Sequence, residues 1–262
     1  MAIAYSYQRK QSARNLIASN RNKVQRKMKY AIIAAGEGSR LQQEGVNLPK
    51  PLVRIGGESM IDRLIRIFRN NGAEEICIIV NTLHPQTYEH LRSLQAEGKA
   101  DDLRIVVKST PSSMHSFAEL APYLTDAPFC LTTVDTIFRE EEFSRYISHF
   151  LQSEADGCMA VTDFIDDEKP LYVGTDDALR ITGFHDQNEG DHYISGGIYC
   201  LRPVALDTLQ RCMKSGQSRM RNFQRALIAD GLKLEACPFS KILDVDHADD
   251  ILKAEAFIKG IQ

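Results

Sequence analysis

The sequence predicts an α/β protein with a mixed, mostly parallel central sheet and helices on both faces. Up to residue 134, short apolar and β-branched runs alternate with segments of helical periodicity, as buried parallel strands and their crossover helices do. After Asp135 the strand-like runs follow one another more closely, which indicates a partly antiparallel addition to the same sheet. With 262 residues, 43 % of them hydrophobic, the chain is long enough to bury a sizeable core.

The first half of the chain predicts a repeating βαβ pattern. In its first helix, apolar residues from Met60 to Phe68 recur at helical spacing, and "NNG" at 70–72 supplies a C-terminal stop. Strands are expected at residues 30–35, 75–81, 103–109 and 129–134, and helices at 60–70, 86–96 and 113–124.

The second half predicts a helix at 140–152, followed by strands at 158–164, 171–175, 179–184 and 193–201. Helices are then expected near 203–214 and 218–230, with a strand at 241–246 and a terminal helix that carries Ile251, Ala254, Phe257 and Ile258. No repeat or low-complexity linker interrupts this pattern, so residues 28–262 are expected to form one domain.

Charge divides the chain into a short basic segment and an acidic body. Residues 1–27 hold seven of the 32 Lys and Arg residues and no acid, which leaves 25 basic against 35 acidic residues from Met28 onward. Nucleic-acid binding depends on clustered positive charge, so the body is not expected to bind nucleic acid. Residues 1–27 are expected to be a disordered or non-catalytic extension, or to precede a true start at Met28; an organellar presequence is the third alternative.

Location and cysteine chemistry follow from composition. No apolar run approaches the length of a membrane span, and no apolar signal centre follows the basic N-terminus, so the protein is expected to be cytoplasmic. The six cysteines lie far apart, without a CxxC pair and mostly in strand-like runs. That spacing indicates buried, reduced thiols rather than a disulfide framework or a zinc cluster. Nothing in the sequence indicates an oligomeric state.

The sequence "AAGEGSR" follows the first predicted strand directly, at the sheet edge where open α/β sheets bind ligands. Glycines there let backbone N–H groups approach phosphate oxygens, although a tight turn alone would also explain them. The loop is not a dinucleotide fingerprint, because Leu41 replaces the third glycine and no good helix follows, and the chain has no GxxxxGK[ST] motif. What remains is GxGxR, followed ten residues later by Lys50-Pro51-Leu52, a combination that suits a polyphosphate.

Together, "AIIAAGEGSR" and "PKPLVRIGGESMI" resemble the opening signature of the nucleotidyltransferase family that includes sugar-1-phosphate nucleotidyltransferases (NDP-sugar pyrophosphorylases) and phosphocholine cytidylyltransferases. The resemblance continues to "KILDVDHADDILKAEAFI" near the end of the chain. It implies a nucleotide-diphospho-sugar transferase-like fold, a Rossmann-like three-layer sandwich. The implied reaction is Mg²⁺-dependent transfer of a nucleoside monophosphate from an NTP to a phosphorylated small molecule, most simply a sugar-1-phosphate, with release of pyrophosphate.

The resemblance also assigns residues to the nucleotide. It implies that Arg40 contacts the β- and γ-phosphates and that Lys50 contacts the phosphates near the reacting centre. The loop residues implied to wrap the nucleotide are Ala34, Ala35, Gly36, Glu37, Gly38 and Ser39. Ser113 and His115 lie at the start of a predicted helix where the family reads the base or positions the sugar, although a capping role explains the serine equally well.

Acidic residues that suit a divalent cation occur at two places. Mg²⁺ prefers one or two carboxylates plus phosphate oxygens, and it neutralises a pyrophosphate leaving group. Asp135 follows the fourth strand, where the resemblance puts the family's metal aspartate; a turn or helix cap is its alternative role. Asp244 and Asp246 are two apart on a predicted strand, so both side chains point to one face. Either or both would complete the metal site, and Asp246 is also a candidate N-cap of the last helix.

The acceptor is expected beside "YISGGIYCL", which is similar to a family strand whose small residues let the acceptor approach the backbone. Gly196 and Gly197 are therefore acceptor-site candidates, although a bulge or close strand packing would also explain them. Many sugar-1-phosphate members carry Glu-Lys-Pro just before this strand, whereas the corresponding segment here is "GFHDQNEG", with His185 and Asp186. This departure leaves room for phosphocholine or another acceptor. His185 is either a substitute phosphate-binding group or an exposed loop histidine.

Two further hypotheses stay open. A glycosyltransferase of related fold uses a nucleotide-sugar and a DxD metal motif, and "DVD" at 244–246 has that spelling. That motif lies late in the chain, however, and Arg40 and Lys50 would have no triphosphate to serve. A non-catalytic nucleotide-sensing module would bind NTP without turnover, and the presence of Asp135 and Asp244 beside the two cations argues against it.

Overall fold

The computed structural model describes residues 28–166 and 169–260, so the prediction for residues 1–27 lies outside the described residues. The strands are β1 (Met28–Ala34), β2 (Arg54–Ile55), β3 (Glu58–Ser59), β4 (Ala73–Val80), β5 (Leu103–Val107), β6 (Phe129–Thr133), β7 (Thr136–Ile137), β8 (Gly157–Thr162), β9 (Tyr172–Thr175), β10 (Ile181–His185), β11 (Tyr193–Leu201), β12 (Leu234–Pro238) and β13 (Leu243–Asp244). The helices are α1 (Ser39–Gln43), α2 (Met60–Asn70), α3 (Pro85–Ala96), α4 (Ser113–Leu120), α5 (Glu140–Gln152), α6 (Ala205–Lys214), α7 (Met220–Ala229) and α8 (Ala248–Ile258), with 3-10 turns at Lys50–Leu52 and Ala121–Tyr123.

A nine-stranded sheet crosses the molecule. Its main row runs β12-β8-β11-β6-β1-β4-β5, and the β9–β10 hairpin pairs with the start of β11. Strand β1 pairs in parallel with β4 and β6, β4 with β5, and β8 with β12, while β11 is antiparallel to β6 and β8. The prediction of a mostly parallel sheet with an antiparallel addition is confirmed.

Helices cover both faces of the sheet, and β1 shows how the sequence arranges this. Tyr30 and Ile32 point to the core on one face, which also takes apolar residues from α2, α3, α5 and α8. Ala31 and Ile33 point to the core on the other face, which is filled from α4, α6 and α7. Two buried faces require a continuous apolar run, as in a parallel strand. Among the described residues, no helix is long and apolar enough to cross a membrane.

The short strands β2, β3 and β7 were not predicted, and three further differences concern the glycine loop, β12 and the last expected strand. The glycine loop is followed by one helical turn, α1, which starts after the left-handed Gly38 and ends before Gly45, also left-handed. Strand β12 was not predicted, because Glu235 and Pro238 lower its strand propensity while parallel pairing with β8 stabilises it. The expected strand at 241–246 is reduced to Leu243–Asp244, which pairs with β7 in a separate two-stranded sheet.

Candidate active site

A cavity of about 470 Å³ opens at the carboxyl ends of β1 and β6. The glycine loop from Ala34 to Arg40 lines it, together with Lys50, Asp135, Asp246 and the segment 110–113 that precedes α4. These segments are far apart in sequence. They meet because parallel strands deliver the loops that follow them to the same edge of the sheet.

Two glycines give the loop its shape. Gly38 has a φ of 65°, and a Cβ there would lie 3.0 Å from the Cβ of Lys50, so a side chain would be both strained and crowded. At Gly36 a Cβ would meet no protein atom within 4 Å. The buried amide of Asn81, directly after β4, donates to the carbonyl of Gly36 over 2.9 Å and holds the loop in place. Gly36 thus presents a bare backbone beside the cavity.

The ammonium of Lys50 lies between two carboxylates. It pairs with Asp135 and, over 2.6 Å, with Asp246, and only 11 % of its side chain is exposed. Burial opposes the charged form, but the two carboxylates outweigh it and raise the pKa of Lys50 above its ordinary value. Lys50 is therefore charged at neutral pH and lies where it can neutralise an anion in the cavity.

Asp246 joins Lys50 to Arg40. Its second carboxylate oxygen accepts a hydrogen bond of 3.1 Å from Nη1 of Arg40, whose side chain is 60 % exposed. An exposed pair of this kind contributes little stability, so Arg40 can exchange Asp246 for a phosphate at small cost. Glu44, just after α1, accepts from the backbone N–H of Ala248 over 2.6 Å and thereby ties the Arg40 turn to the start of α8.

The pairing of β7 with β13 brings Asp244 beside Asp135, because Asp244 lies opposite Thr136 in this antiparallel pair. Asp244 lines the second cavity and is exposed to solvent there. Desolvation by the neighbouring protein atoms, with the negative charges of Asp135 and Asp246, raises the pKa of Asp244 to about 7. Burial acts in the same direction on Asp135, but Lys50 outweighs it and lowers the pKa of Asp135.

The three carboxylates fit a divalent cation. Asp135, Asp244 and Asp246 lie near the single ammonium of Lys50, and the pKa of Asp244 is raised by desolvation and then by the charges of the other two carboxylates. Carboxylate oxygens are the ligands that Mg²⁺ prefers. Asp246 is already paired with two basic side chains.

A second cavity, of about 500 Å³, adjoins the first, and Arg40 and Asp246 line both. Three basic side chains also line it: Lys169, Arg221 and Lys253. Asp186 holds Arg221 through an ion pair of 2.6 Å, and Arg221 also donates to the carbonyl of Lys169 over 3.0 Å. The second cavity therefore brings together basic side chains from three separate parts of the chain, alongside the carboxylates of Asp166, Asp244, Asp246 and Asp250.

The sequence-predicted residues around the nucleotide fall into two groups. Those of the glycine loop, Arg40, Lys50, Asp135 and Ser113 all line the first cavity. His115 turns instead to Ser112, whose hydroxyl lies 2.8 Å from the imidazole Nδ1 and caps the start of α4. Of the two polar residues proposed there, Ser113 is the better placed.

The acceptor-side candidates also divide. Gly196 lines the second cavity, and a Cβ there would lie 2.2 Å from Cδ1 of Ile242. Gly197 has a φ of 72° where β11 bulges against β8. His185 pairs with Glu189 over 2.9 Å at the end of β10. In this segment it is Asp186, through its ion pair with Arg221, that connects to the cavity.

Several residues of the site were missed from the sequence. Asn81 is the last residue of a predicted strand, Arg221 lies on a helix without a motif, and Lys253 lies in the C-terminal segment that carries the resemblance but was not assigned a role. Lys169 carried a signal that was overlooked. The tripeptide Glu-Lys-Pro does occur, at residues 168–170, ahead of β9 rather than β11, and its lysine lines the second cavity.

Comparison with known proteins adds an independent finding. The family model described as Nucleotidyl transferase matches residues 29–260. The chain is 26 % identical over 246 residues to the "Bifunctional IPC transferase and DIPP synthase" of Rubrobacter xylanophilus, covering 88 % of this chain and 52 % of the relative. It is 23 % identical over 206 residues to the "Probable glucose-1-phosphate cytidylyltransferase" of Bacillus subtilis, covering 70 % of this chain and 78 % of the relative. The chain thus spans about half the length of the bifunctional relative.

Two solved structures share the fold. An inositol-1-phosphate CTP transferase from T. maritima superposes with a TM-score of 0.72 at 18 % identity, covering 89 % of this chain and 97 % of the other. A candidate glucose-1-phosphate thymidylyltransferase from Bacillus anthracis gives 0.76 at 16 % identity, covering 90 % and 96 %. At these identities the likeness concerns the fold alone, and it confirms the three-layer architecture that the resemblance implied.

Proposed function

Because the chain belongs to the nucleotidyl transferase family, we propose that it transfers a nucleoside monophosphate from an NTP to the phosphate of a small sugar or polyol phosphate, with release of pyrophosphate. The acceptor class agrees with the names of two similar proteins, which describe glucose-1-phosphate and inositol-1-phosphate. The NTP would occupy the cavity at the glycine loop, and the acceptor would occupy the adjoining cavity.

One observation carries this proposal: the two cavities meet at Arg40 and Asp246, beside the buried ammonium of Lys50. A transferase of this class must hold two polyanions with their reacting phosphates in contact. Positioning and charge neutralisation are then the main sources of catalysis. A glycosyltransferase has no triphosphate and would leave Arg40 and Lys50 without this role.

The chemistry needs little beyond this arrangement. The acceptor phosphate is already anionic at neutral pH, so no general base is required when its oxygen attacks the α-phosphorus in line. The bond between the α-phosphorus and the oxygen bridging to the β-phosphate breaks, and pyrophosphate leaves. Lys50 would neutralise charge at the α-phosphate, and Arg40 would release Asp246 to bind the outer phosphates.

We assign the metal-binding role to Asp135 and Asp244. Asp246 is engaged by Arg40 as well as by Lys50, whereas Asp135 pairs with Lys50 alone and Asp244 lies beside Asp135 with a raised pKa that a cation would lower. A bound Mg²⁺ would supply Lewis-acid polarisation and neutralise the departing pyrophosphate. Asp246 would then position the two cationic side chains.

The lining of the second cavity favours a hydroxylated acceptor over phosphocholine. Recognition of a quaternary ammonium uses open aromatic faces. Among the described lining residues, Phe164 supplies the one phenyl ring, and the ammonium of Lys241 already lies 4.0 Å from its centroid. Basic side chains suit an acceptor phosphate, while the carboxylates of Asp166 and Asp250 suit hydroxyl groups.

A substrate matrix tests the proposal. Each of the four NTPs would be incubated with glucose-1-phosphate, inositol-1-phosphate or phosphocholine in the presence of Mg²⁺, and pyrophosphate release would be measured. We expect release with a sugar or polyol phosphate and its loss on chelation. A preference for phosphocholine would overturn the acceptor class. NTP binding without release in any combination would favour the nucleotide-sensing hypothesis.

A further inference from the structure

Three side chains with metal-binding chemistry converge at a second place, away from the two cavities, and a fourth, Glu235, contacts two of them. The ligand atoms of His149, Cys158 and Cys237 lie within 4.8 Å of one another. Oε2 of Glu235 lies 2.9 Å from Nε2 of His149 and 3.7 Å from Sγ of Cys158. We refer to these four residues as the His-Cys cluster.

Strand pairing produces the cluster. Glu235 and Cys237 are two apart on β12, so their side chains share a face of the sheet, and the parallel register places Glu235 beside Cys158 of β8. His149 comes from the last turn of α5, which packs on that face. Strands β6 and β8 are both antiparallel to β11 and therefore run the same way, so Cys158, near the start of β8, lies toward the opposite edge from the active site.

The carboxylate in the cluster is held from outside. Ser153, just after α5, donates its hydroxyl to Oε2 of Glu235 over 3.0 Å. This bond fixes the carboxylate oxygen that contacts both His149 and Cys158. Metal ligands are commonly oriented by such supporting hydrogen bonds.

We propose that His149, Cys158, Glu235 and Cys237 bind one Zn²⁺ ion. Two sulfurs, one imidazole nitrogen and one carboxylate oxygen form a four-ligand set of the kind that tetrahedral zinc takes, whereas Mg²⁺ prefers oxygen alone. When the cation binds, both thiols are deprotonated and their protons pass to solvent. The side chain of His149 is 55 % exposed and provides the route of entry.

Bound zinc would fasten the end of α5 to β8 and β12. In its absence, a hydrogen bond between His149 and Glu235 beside two free thiols makes the same connection more weakly. The wide cysteine spacing that predicted separate buried thiols gave no sign of the cluster, because the strand register β8–β12 creates it.

The test counts zinc in the full chain after chelation, reloading with Zn²⁺ and gel filtration. Wild type is expected to retain one equivalent and to melt at a higher temperature when loaded. His149→Ala and Cys237→Ser should lose the retained zinc, with an affinity at least about 10-fold weaker. Because His149 is largely exposed, its variant should fold and carries the test even if Cys158→Ser does not.

Matched variants separate this site from others. Two control variants should retain one equivalent of zinc. They are His192→Ala, at an exposed histidine, and Cys212→Ser, at a buried cysteine on α6. Asp135→Asn should keep it as well, which distinguishes the cluster from the carboxylates of the active site. Cobalt in place of zinc should give thiolate-to-metal absorption that Cys237→Ser abolishes. Retention of no zinc by wild type, or equal retention by His149→Ala, would overturn the proposal.

Discussion

Three carboxylates lie around one ammonium in the candidate active site, and the ionised form of Asp244 is the least favourable of the three. Asp135 and Asp246 contact Lys50 directly, whereas Asp244 is exposed mainly to their negative charge. Desolvation and these charges together raise the pKa of its carboxyl group to about 7. A bound divalent cation would favour the ionised carboxylate, so metal binding should stabilise the folded protein.

The raised pKa of Asp244 predicts that replacing this residue stabilises the folded protein at high pH but not at low pH. An unfolded aspartate loses its proton near its ordinary value of about 4, whereas the folded Asp244 keeps it to about 7, so wild type loses stability as pH rises between the two values. Without divalent ions, Asp244→Asn should therefore melt higher than wild type at pH 8 and equally at pH 4. The carboxylate reaches solvent, so we expect only about 1 kcal/mol, roughly 2–4 °C.

Asp246→Asn is the matched control, since it weakens the contacts with Arg40 and Lys50 instead of relieving repulsion alone. It should not melt higher than wild type at pH 8. Addition of Mg²⁺ should raise the melting temperature of wild type and have less effect on Asp244→Asn. An equal difference between wild type and Asp244→Asn at both pH values would contradict the assignment.

At the scale of elements, the two glycines of the glycine loop have different roles, one in the backbone conformation and one in leaving space for a ligand. Gly38 is needed for the backbone itself, because its φ is 65° and its neighbour is the Cβ of Lys50 at 3.0 Å. Gly36 has no such constraint from the protein. Its bare backbone would matter only when a ligand approaches it.

This difference predicts opposite profiles for two alanine variants. Gly38→Ala should destabilise the fold by about 1–2 kcal/mol, the strain of a left-handed residue with a side chain. Gly36→Ala should leave the melting temperature unchanged and raise the KM for the NTP. Thermal melts and steady-state kinetics on both variants would check this. An unchanged KM in Gly36→Ala would show that the nucleotide does not contact the loop at that residue.

Sequence patterns predicted most elements, and their failures have physical reasons. Strands β1, β4, β5 and β6 were found because they are buried on both faces and read as apolar runs. Strand β12 was missed because its pairing with β8 depends on residues more than 70 positions away in the chain. The helix α1 was missed because a single turn between two left-handed glycines has little periodicity to read.

On the scale of the whole molecule, the site is assembled from both ends of the chain. The Arg40 turn, which follows β1, is tied to the start of α8 by Glu44 and by Asp246. Motifs predicted the nucleotide side of the site, because its residues follow successive strands. The basic residues of the second cavity converge from a loop and two helices, and local sequence does not show such convergence.

The fold predicts that residues 1–27 can be removed without loss of activity. Strand β1 begins at Met28 and is paired on both sides, and Lys29 is anchored by Asp126 and Glu75. A chain starting at Met28 should show kcat and KM close to those of the full chain. A longer deletion through Ile32 should fail to fold, since it removes part of the central strand. An inactive but folded short deletion would show that the basic segment takes part in catalysis.

The measurement that tests the central claim most directly is pyrophosphate release by Asp135→Ala with the best substrate pair and Mg²⁺. Asp135 lies between the glycine loop, Lys50 and Asp244. Its loss should therefore weaken metal binding and remove a carboxylate that holds the ammonium of Lys50 in place. We predict a fall in kcat of about 10²–10³-fold, with the circular dichroism spectrum unchanged. Full turnover by a folded Asp135→Ala enzyme would contradict the assignment of this cavity as the site of nucleotidyl transfer.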